Sequence, residues 1–298
     1  MRGWACEYGG MTGTGTVVAV AQLALAVGEL EANRETARAA VVEAALAGAR
    51  LVVLPELSDS GYVFCDAGQA RSLASPAASS VTLRQWQSLA AAHDLVIVGG
   101  FCELGPQGKL YNSAAIVDGS GTRAMYRKVH LWDGEKEIFA PGEDAPPVVA
   151  LPFGNVAVMI CYDLEFPEWV RVAALGGADL IAVPVNWNAP GSPAPAGERS
   201  GEVVVAQAAA AANGVFIAVA DRCGTEHGVE WVGGSVILHR GGYPAAGPVC
   251  ENRAALLTAS VNLRQARDKQ ISERNDLFTD RRPELYTRLS EAAAVDVR

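Results

Sequence analysis

An α/β sandwich with mixed sheets is the fold class that the sequence predicts. Short apolar runs of the kind found in buried strands alternate with longer stretches in which apolar residues recur at helical spacing. Hairpin signals interrupt that alternation, most clearly the DGSG sequence at residues 118–121. A chain of 298 residues that is 50% hydrophobic can bury one large core. Because a purely parallel, doubly wound sheet would lack such hairpins, we predict mixed sheets within a single domain.

The elements follow from local patterns taken in order. A helix predicted over residues 30–48 ends at Gly48, and Ser80 is a suitable cap for a second helix over 80–93. Two further helices are predicted at 168–175 and 202–213. The predicted strands are residues 17–22, 51–54, 94–102, 110–117, 123–128, 155–160, 180–185, 215–220, 235–239 and 256–261. We expect an N-terminal extension over residues 1–15, a single domain over 16–298, and a surface loop at 190–197.

Composition excludes several classes of partner and cofactor. The net charge is −9, and an acidic surface repels the phosphates of nucleic acids. The 6 cysteines form no C-x-x-C pair and the 4 histidines are scattered, which disfavours a disulfide framework and a metal site. Neither a signal peptide nor an apolar run of membrane-spanning length is visible. We therefore expect reduced thiols, no metal or organic cofactor, no nucleic-acid or membrane partner, and a cytoplasmic location.

Polar side chains that could carry chemistry follow three of the predicted strands. Glu56 comes after LVVLP, Lys128 after RAMYR, and Cys161 after VAVMI. A carboxylate near the core can act as a base, an ammonium can stabilise an oxyanion, and a thiol at a strand end can be a nucleophile. For Glu56 and Lys128, position in the sequence alone favours simpler interpretations. Glu56 would be an exposed loop residue in a surface ion pair, and Lys128 a solvated lysine on an edge strand. For the cysteine, catalysis and structural burial are about equally supported.

Rival chemistries lack their motifs. The sequence has no G-x-S-x-G elbow and no G-x-x-x-x-G-K-[ST] loop, and its G-x-G at residues 13–15 precedes the first strand instead of following it. A Cys–His pair would have to use His130, whose surroundings do not mark it as an orienting partner. Cys102 also ends a strand, but the sequence after it is typical of a plain turn.

Four segments together resemble the nitrilase superfamily of carbon–nitrogen hydrolases. They are residues 54–62 (LPELSDSGY), 126–131 (YRKVHL), 135–142 (EKEIFAPG) and 160–168 (ICYDLEFPE). Their order and spacing also match that family, and the likeness extends from about residue 17 to the tail at 275–286. The resemblance implies an α-β-β-α sandwich that assembles into a homodimer or a larger homo-oligomer, with the tail at a subunit contact.

The same resemblance implies roles for individual residues. Glu56 would be the general base, Cys161 the nucleophile, and Lys128 the oxyanion ligand together with the backbone N–H of Tyr162. Glu135 would be the second glutamate of the family, with Glu137 the weaker assignment. The reaction implied is hydrolysis of a small amide to ammonia and an acid through a thioester. The sequence after the cysteine is similar to that of amidases and carbamoylases, which disfavours a true nitrilase. The acyltransferases of the family are embedded in membranes, and the lack of a membrane-spanning run disfavours that branch.

Substrate selection would fall to side chains in the loops around these segments. The candidates are Tyr62, Trp132, Tyr162, Glu165, Asn186 and Trp187. Packing is the simpler role for the aromatic ones, and Glu165 could either bind a cationic substrate group or brace its loop. Outside amide hydrolysis, two hypotheses of other classes remain: a catalytically silent binding scaffold on the same fold, and a nucleotide-binding α/β domain, which the missing glycine loop disfavours.

Overall fold

The computed structural model describes residues 15–188, 198–249 and 251–291. The predicted N-terminal extension, apart from residue 15, and the predicted loop at 190–197 lie outside the described residues. Two of the cysteines, Cys6 and Cys250, lie outside them as well. The extent of the domain and the role of the tail therefore stay predictions. Within the described ranges, none of the helices has the length and apolar character needed to cross a bilayer.

The strands and helices keep the predicted order, with several short additions. The strands are β1 (Thr16–Ala24), β2 (Leu51–Val53), β3 (Val96–Leu104), β4 (Leu110–Asp118), β5 (Gly121–Arg127), β6 (Val148–Leu151), β7 (Gly154–Val158), β8 (Leu180–Pro184), β9 (Phe216–Ala220), β10 (Arg222–Cys223), β11 (Thr225–Glu226), β12 (Val229–Glu230), β13 (Val236–Leu238), β14 (Pro244–Ala246), β15 (Ala255–Val261), β16 (Gln270–Ser272) and β17 (Asn275–Asp276). The helices are α1 (Leu30–Leu46), α2 (Ala67–Leu73), α3 (Val81–His93), α4 (Glu135–Ile138), α5 (Pro167–Leu175), α6 (Gly201–Asn213) and α7 (Arg288–Glu291).

Two mixed sheets form the centre of the fold. The first has the order β10-β1-β2-β3-β4-β5, with β15 pairing antiparallel to β1, and the second has the order β14-β13-β9-β8-β7-β6. In each sheet three consecutive strands are parallel, namely β1, β2 and β3 in the first and β7, β8 and β9 in the second. The flanking pairs β3–β4, β4–β5, β6–β7 and β9–β13 are antiparallel. The predicted mixed sheets are confirmed.

Alternate residues of the strands belong to two different cores. Val18 and Val20 of β1 face the second sheet and share a cluster with Val158 and Ala182. The intervening residues of β1 face α1 and α3 and pack in a separate cluster around Trp86. A period of two along a strand puts successive side chains on opposite faces. Each sheet is thus covered by helices outside and by the other sheet inside, which is the predicted α-β-β-α sandwich.

Helix ends explain where the element boundaries differ from the prediction. The Ser80 hydroxyl caps α3 by accepting from Leu83 N at 3.3 Å. At the other end of α3, Asp94 takes a left-handed conformation, so β3 begins at Val96 and not at residue 94. Gly214 closes α6 in the same way, with a φ of 58°. Cys223, which falls outside every predicted element, lies buried in β10.

The sheet directions bring the predicted functional groups to one edge. Because β4 is antiparallel to both β3 and β5, β5 runs in the same direction as β2. Glu56 follows β2 and Lys128 follows β5, so both emerge at the carboxyl ends of their strands. Cys161 follows β7 and Asn186 follows β8 in the facing sheet. Ends of parallel strands are where α/β folds commonly place ligand-binding groups.

Candidate active site

A buried cluster of one ammonium and two carboxylates lies beneath the strand ends. Lys128 Nζ donates to Glu56 Oε1 at 2.7 Å and to Glu135 Oε1 at 2.8 Å. The relative accessibility of Glu56 and Lys128 is 0%, and that of Glu135 is 5%. The simpler interpretations from position, an exposed loop glutamate and a solvated edge lysine, are therefore wrong. Charges this deeply buried persist only where they pair with each other.

Asn112 connects the two carboxylates and was missed by the sequence analysis. Its Nδ2 donates to Glu56 Oε1 at 2.7 Å and to Glu135 Oε1 at 3.0 Å. Asn112 lies in the middle of β4 and is fully buried. A signal for it was present, because a polar residue within the run LYNSAAIV is costly to bury without partners. Glu135 is held further by the backbone N–H of Trp132, which donates to its Oε2 at 2.7 Å.

The electrostatics of this cluster make Glu56 a proton acceptor near neutral pH. Burial raises the pKa of the Glu56 carboxyl from 4.5 to about 7, and the positive charge of Lys128 only partly opposes this. Burial alone lowers the pKa of Lys128, but the carboxylates of Glu135 and Glu56 raise it well above its usual value. Oε1 of Glu56 is occupied by hydrogen bonds, whereas its buried Oε2 has no partner among the described residues. One carboxylate oxygen is thus free to take a proton.

Cys161 starts a 3₁₀ turn directly after the β7 segment and has an unusual backbone. Its φ is 48°, a left-handed backbone conformation that residues other than glycine rarely adopt. Only 7% of the surface of Cys161 is exposed. Burial raises the pKa of its thiol well above the usual value, and the charge of Glu56 adds to this effect while Lys128 opposes it. The backbone N–H of Asn186 favours the thiolate. The resting group is therefore a thiol that needs a base.

Asp163 holds the strained turn in place. Its carboxylate accepts from Ile160 N at 3.0 Å, from His130 N at 3.0 Å and from the Tyr126 hydroxyl at 2.7 Å. The ring Nδ1 of His130 lies 2.7 Å from the same carboxylate, and the ring stacks on Phe166 at 3.7 Å. His130 is thus engaged by Asp163, as part of the support beneath the cysteine turn.

We expect Asp163→Asn to lower both stability and turnover. An asparagine in this site would aim its NH₂ group at groups that are themselves donors, so at least one buried donor would lose its acceptor. The expected cost is about 2–4 kcal/mol of unfolding free energy, measured by urea denaturation. Asp66→Asn is the matched control, because Asp66 caps α2 and asparagine caps helices equally well. Equal stability of the two variants would contradict the bracing role.

Two neighbouring cavities open at this edge of the sandwich. The smaller one, of about 50 Å³, is lined by Trp132, Cys161, Tyr162, Glu165, Asn186, Trp187, Asn188 and Glu202. The larger one, of about 440 Å³, includes Tyr62, Trp132, Glu135 and Asn188 in its lining. Five of the six predicted substrate-binding residues thus line the small cavity with the cysteine, and Tyr62 lines the large one. Glu202 was not predicted as a site residue, since nothing in its local pattern separates it from surface residues.

Tyr62 is positioned by a buried ion pair from the second half of the chain. Glu226 Oε2 accepts from the backbone N–H groups of Tyr62 and Val63 at 2.9 and 2.7 Å. Arg222 donates to the same carboxylate through its two terminal nitrogens, from Nη1 to Oε2 at 3.1 Å and from Nη2 to Oε1 at 2.9 Å. The Arg222 guanidinium also lies over Trp231, whose ring meets Tyr62 edge-on at 5.6 Å. The chain from β10 to β12 therefore fixes one wall of the larger cavity.

The chain is similar to known proteins over most of its length. A carbon–nitrogen hydrolase family model matches residues 17–270. A nitrilase from Pyrococcus abyssi is 36% identical over 91% of this chain and 99% of its own length. An N-carbamoylputrescine amidase from Arabidopsis thaliana is 33% identical over 87% of this chain and 90% of its own length. An amidase from Nesterenkonia sp. superposes with a TM-score of 0.76 and 28% identity, covering 94% of this chain and 98% of that one.

Proposed function

Because this chain belongs to the carbon–nitrogen hydrolase family, we propose that it hydrolyses the C–N bond of a small amide, releasing ammonia and a carboxylic acid. The observation that carries the proposal is the free Oε2 of Glu56 in a buried, charge-paired cluster next to the Cys161 thiol. A base of suitable pKa, a protonated thiol and a fixed cation are the groups that acyl transfer to a cysteine requires.

In the proposed acylation step, Glu56 accepts the thiol proton as Cys161 attacks the amide carbon. The S–C bond forms, and the carbonyl oxygen takes up the negative charge. Lys128 remains cationic throughout, because two carboxylates raise its pKa, and its ammonium stabilises the oxyanion together with the backbone N–H of Tyr162. The intermediate collapses when the C–N bond breaks and Glu56 returns the proton to the departing nitrogen. Ammonia leaves, and the acyl group stays on sulfur as a thioester.

The deacylation step uses the same groups in reverse roles. Glu56, again ionised, takes a proton from a water molecule that attacks the thioester carbon. The C–S bond then breaks, the sulfur recovers its proton from Glu56, and the acid is released. Glu135 and Asn112 do not touch the substrate in this scheme; they hold Lys128 and Glu56 through hydrogen bonds of 2.7–3.0 Å.

Small primary amides are the substrates that the cavity favours. A volume of about 50 Å³ beside the cysteine accommodates only a few non-hydrogen atoms. The similar proteins include a nitrilase, an N-carbamoylputrescine amidase and an amidase, so the nitrile and the ureido group are the alternative reacting groups. Parallel ammonia assays with matched amides, ureas and nitriles test the choice. Faster turnover of a nitrile or a urea than of the matching amide would overturn it.

A catalytically silent scaffold is the competing hypothesis, and reactivity of the thiol separates the two. We expect iodoacetamide at pH 7–8 to alkylate Cys161 in preference to the more exposed Cys65, read by mass spectrometry of peptides. Preferential labelling of Cys65 and no ammonia from any amide would favour the scaffold. Cys65 is a suitable internal reference, because it is exposed and free.

The pH dependence of kcat/KM should follow the ionisation of Glu56. Only the ionised carboxylate can accept the thiol proton, so kcat/KM should fall as the pH drops through about 7. A single ionisation predicts a value at pH 5 about a hundredfold below the plateau at pH 9. The charge of Glu135 contributes to the raised pKa, so Glu135→Gln should move this transition to lower pH. A profile that is flat from pH 5 to 9, or unchanged in the variant, would contradict the assignment.

A further inference from the structure

Two carboxylates line the small cavity without taking part in the proposed chemistry. Glu165 lies four residues after the nucleophile, at the exposed end of the 3₁₀ turn, and Glu202 is the second residue of α6. Both contribute to the wall of the cavity that also contains Cys161. Neither forms an ion pair with any of the described residues, and Glu202 Oε2 is buried without a hydrogen-bond partner there. The cavity thus contains negative charge that no described side chain neutralises.

Asn186 adds an independent unpartnered acceptor to the same wall. Its Nδ2 donates to the backbone carbonyl of Glu56 at 3.0 Å. This contact fixes the orientation of the amide, because the reverse orientation would face two oxygens towards each other. The Oδ1 atom is therefore the other end, which is buried and finds no partner within residues 15–188, 198–249 and 251–291; the residue is only 3% exposed. A buried acceptor in this state requires a donor from a water molecule or from a ligand.

The surrounding groups favour a ligand with a positive charge. Burial raises the pKa of Glu165, and the nearby charge of Glu202 raises it further, so the two carboxylates repel each other across the cavity. Asn188 Oδ1 is a further buried oxygen in this wall that has no partner in the described part of the chain. The rings of Trp132 and Tyr162 meet edge-on at 4.9 Å in the same lining and can pack against a cation. Acceptors and aromatic faces line the cavity, and its described lining includes no lysine or arginine.

We propose that the substrate carries an ammonium or guanidinium group on its acyl side, bound by Glu165 and Glu202 while its carbonyl carbon meets Cys161. The inference rests on the proposed function and extends it to a class of substrate, short amides with a cationic end. Asn186 Oδ1 accepts a further N–H of the same substrate. The small volume of the cavity keeps the distance between the charge and the scissile bond short.

The test compares two substrates of equal shape, 4-aminobutanamide and pentanamide, which differ by an ammonium in place of a methyl group. We expect the wild-type protein to favour the cationic amide in kcat/KM by roughly tenfold to a hundredfold. In Glu202→Gln this preference should fall by about tenfold, and in Glu165→Gln/Glu202→Gln it should disappear. Because the preference is a ratio measured in one sample, a partly unfolded variant does not change it. Glu168→Gln, on the exposed surface of α5, is the control that should keep the preference.

Binding to Cys161→Ala, measured by calorimetry with the same two amides, separates this inference from the proposed function. Tighter binding of the cationic amide that is lost on adding Glu202→Gln would support the cation site even if no amide were hydrolysed. Hydrolysis of both amides with equal kcat/KM, or a preference that survives the double substitution, would overturn the cation site and leave the amidase proposal standing. Loss of the preference in Glu168→Gln would also overturn it, because the effect would then be one of general surface charge.

Discussion

Replacing Cys161 by alanine should lower ammonia release from a small amide by at least about 10⁴-fold. The covalent route needs the sulfur for both half-reactions, and the remaining cluster of Glu56, Lys128 and Glu135 can do no more than polarise the carbonyl and orient water. Intact-mass measurement should show a thioester adduct during turnover of the parent protein and none with the variant. The loss should fall on kcat, since the alanine leaves the walls of the small cavity in place.

Cys102→Ala is the matched control for this experiment. Cys102 is also buried near the end of a strand, and its thiol contacts the carbonyl oxygen of Ala70 at 3.7 Å. We expect this variant to lose stability through the small cavity that it creates, but to keep its turnover per folded molecule. Loss of turnover in Cys102→Ala together with residual activity in Cys161→Ala would contradict the choice of nucleophile.

Glu56→Gln is expected to abolish turnover and at the same time to stabilise the fold above neutral pH. Glutamine can keep the acceptor atom that Lys128 and Asn112 use, while its NH₂ group replaces the oxygen that has no partner. It cannot accept a proton, so ammonia release should fall by about 10²–10⁴-fold. The two effects have one cause, because the buried carboxylate that supplies the base is costly to ionise.

The sign of the stability effect follows from the raised pKa. In the unfolded chain Glu56 ionises near 4.5, whereas in the fold it ionises near 7, so its ionised form destabilises the fold. The contribution of this carboxyl to stability is therefore largest below pH 4.5 and is lost as the pH rises to about 7. Two and a half pH units correspond to about 3 kcal/mol at most. The stability gain of Glu56→Gln should consequently be small at pH 5 and largest at pH 8.

Urea denaturation of the parent and the variant at the two pH values measures this difference directly. Glu43→Gln, an exposed position on α1, serves as the control and should differ little from the parent at either pH. A variant that is less stable than the parent at pH 8 would show that the attraction between the charges of Glu56 and Lys128 stabilises the fold by more than the burial of ionised Glu56 destabilises it. Such a result would contradict the raised pKa on which the catalytic role of Glu56 rests.

The sequence by itself determined the fold class and the family. Apolar runs of period two and stretches of helical period mark most of the longer elements, because burial of one face imposes that period on any sequence. Four segments in order carried the resemblance that the family match confirms. The strand-end positions of Glu56, Lys128 and Cys161 were visible as well, since each lies at or just after the end of a predicted strand.

Only the tertiary structure decided how these groups act. The burial of Glu56 and Lys128, the hydrogen bonds of Asn112, and the wall shared by Glu165 and Glu202 all join residues far apart in the chain. A local pattern cannot show whether a charged residue is solvated or paired, because its solvation depends on which strands become neighbours. That environment sets the pKa of each site residue and the groups with which it forms hydrogen bonds. These properties are therefore defined only when both sheets are packed together.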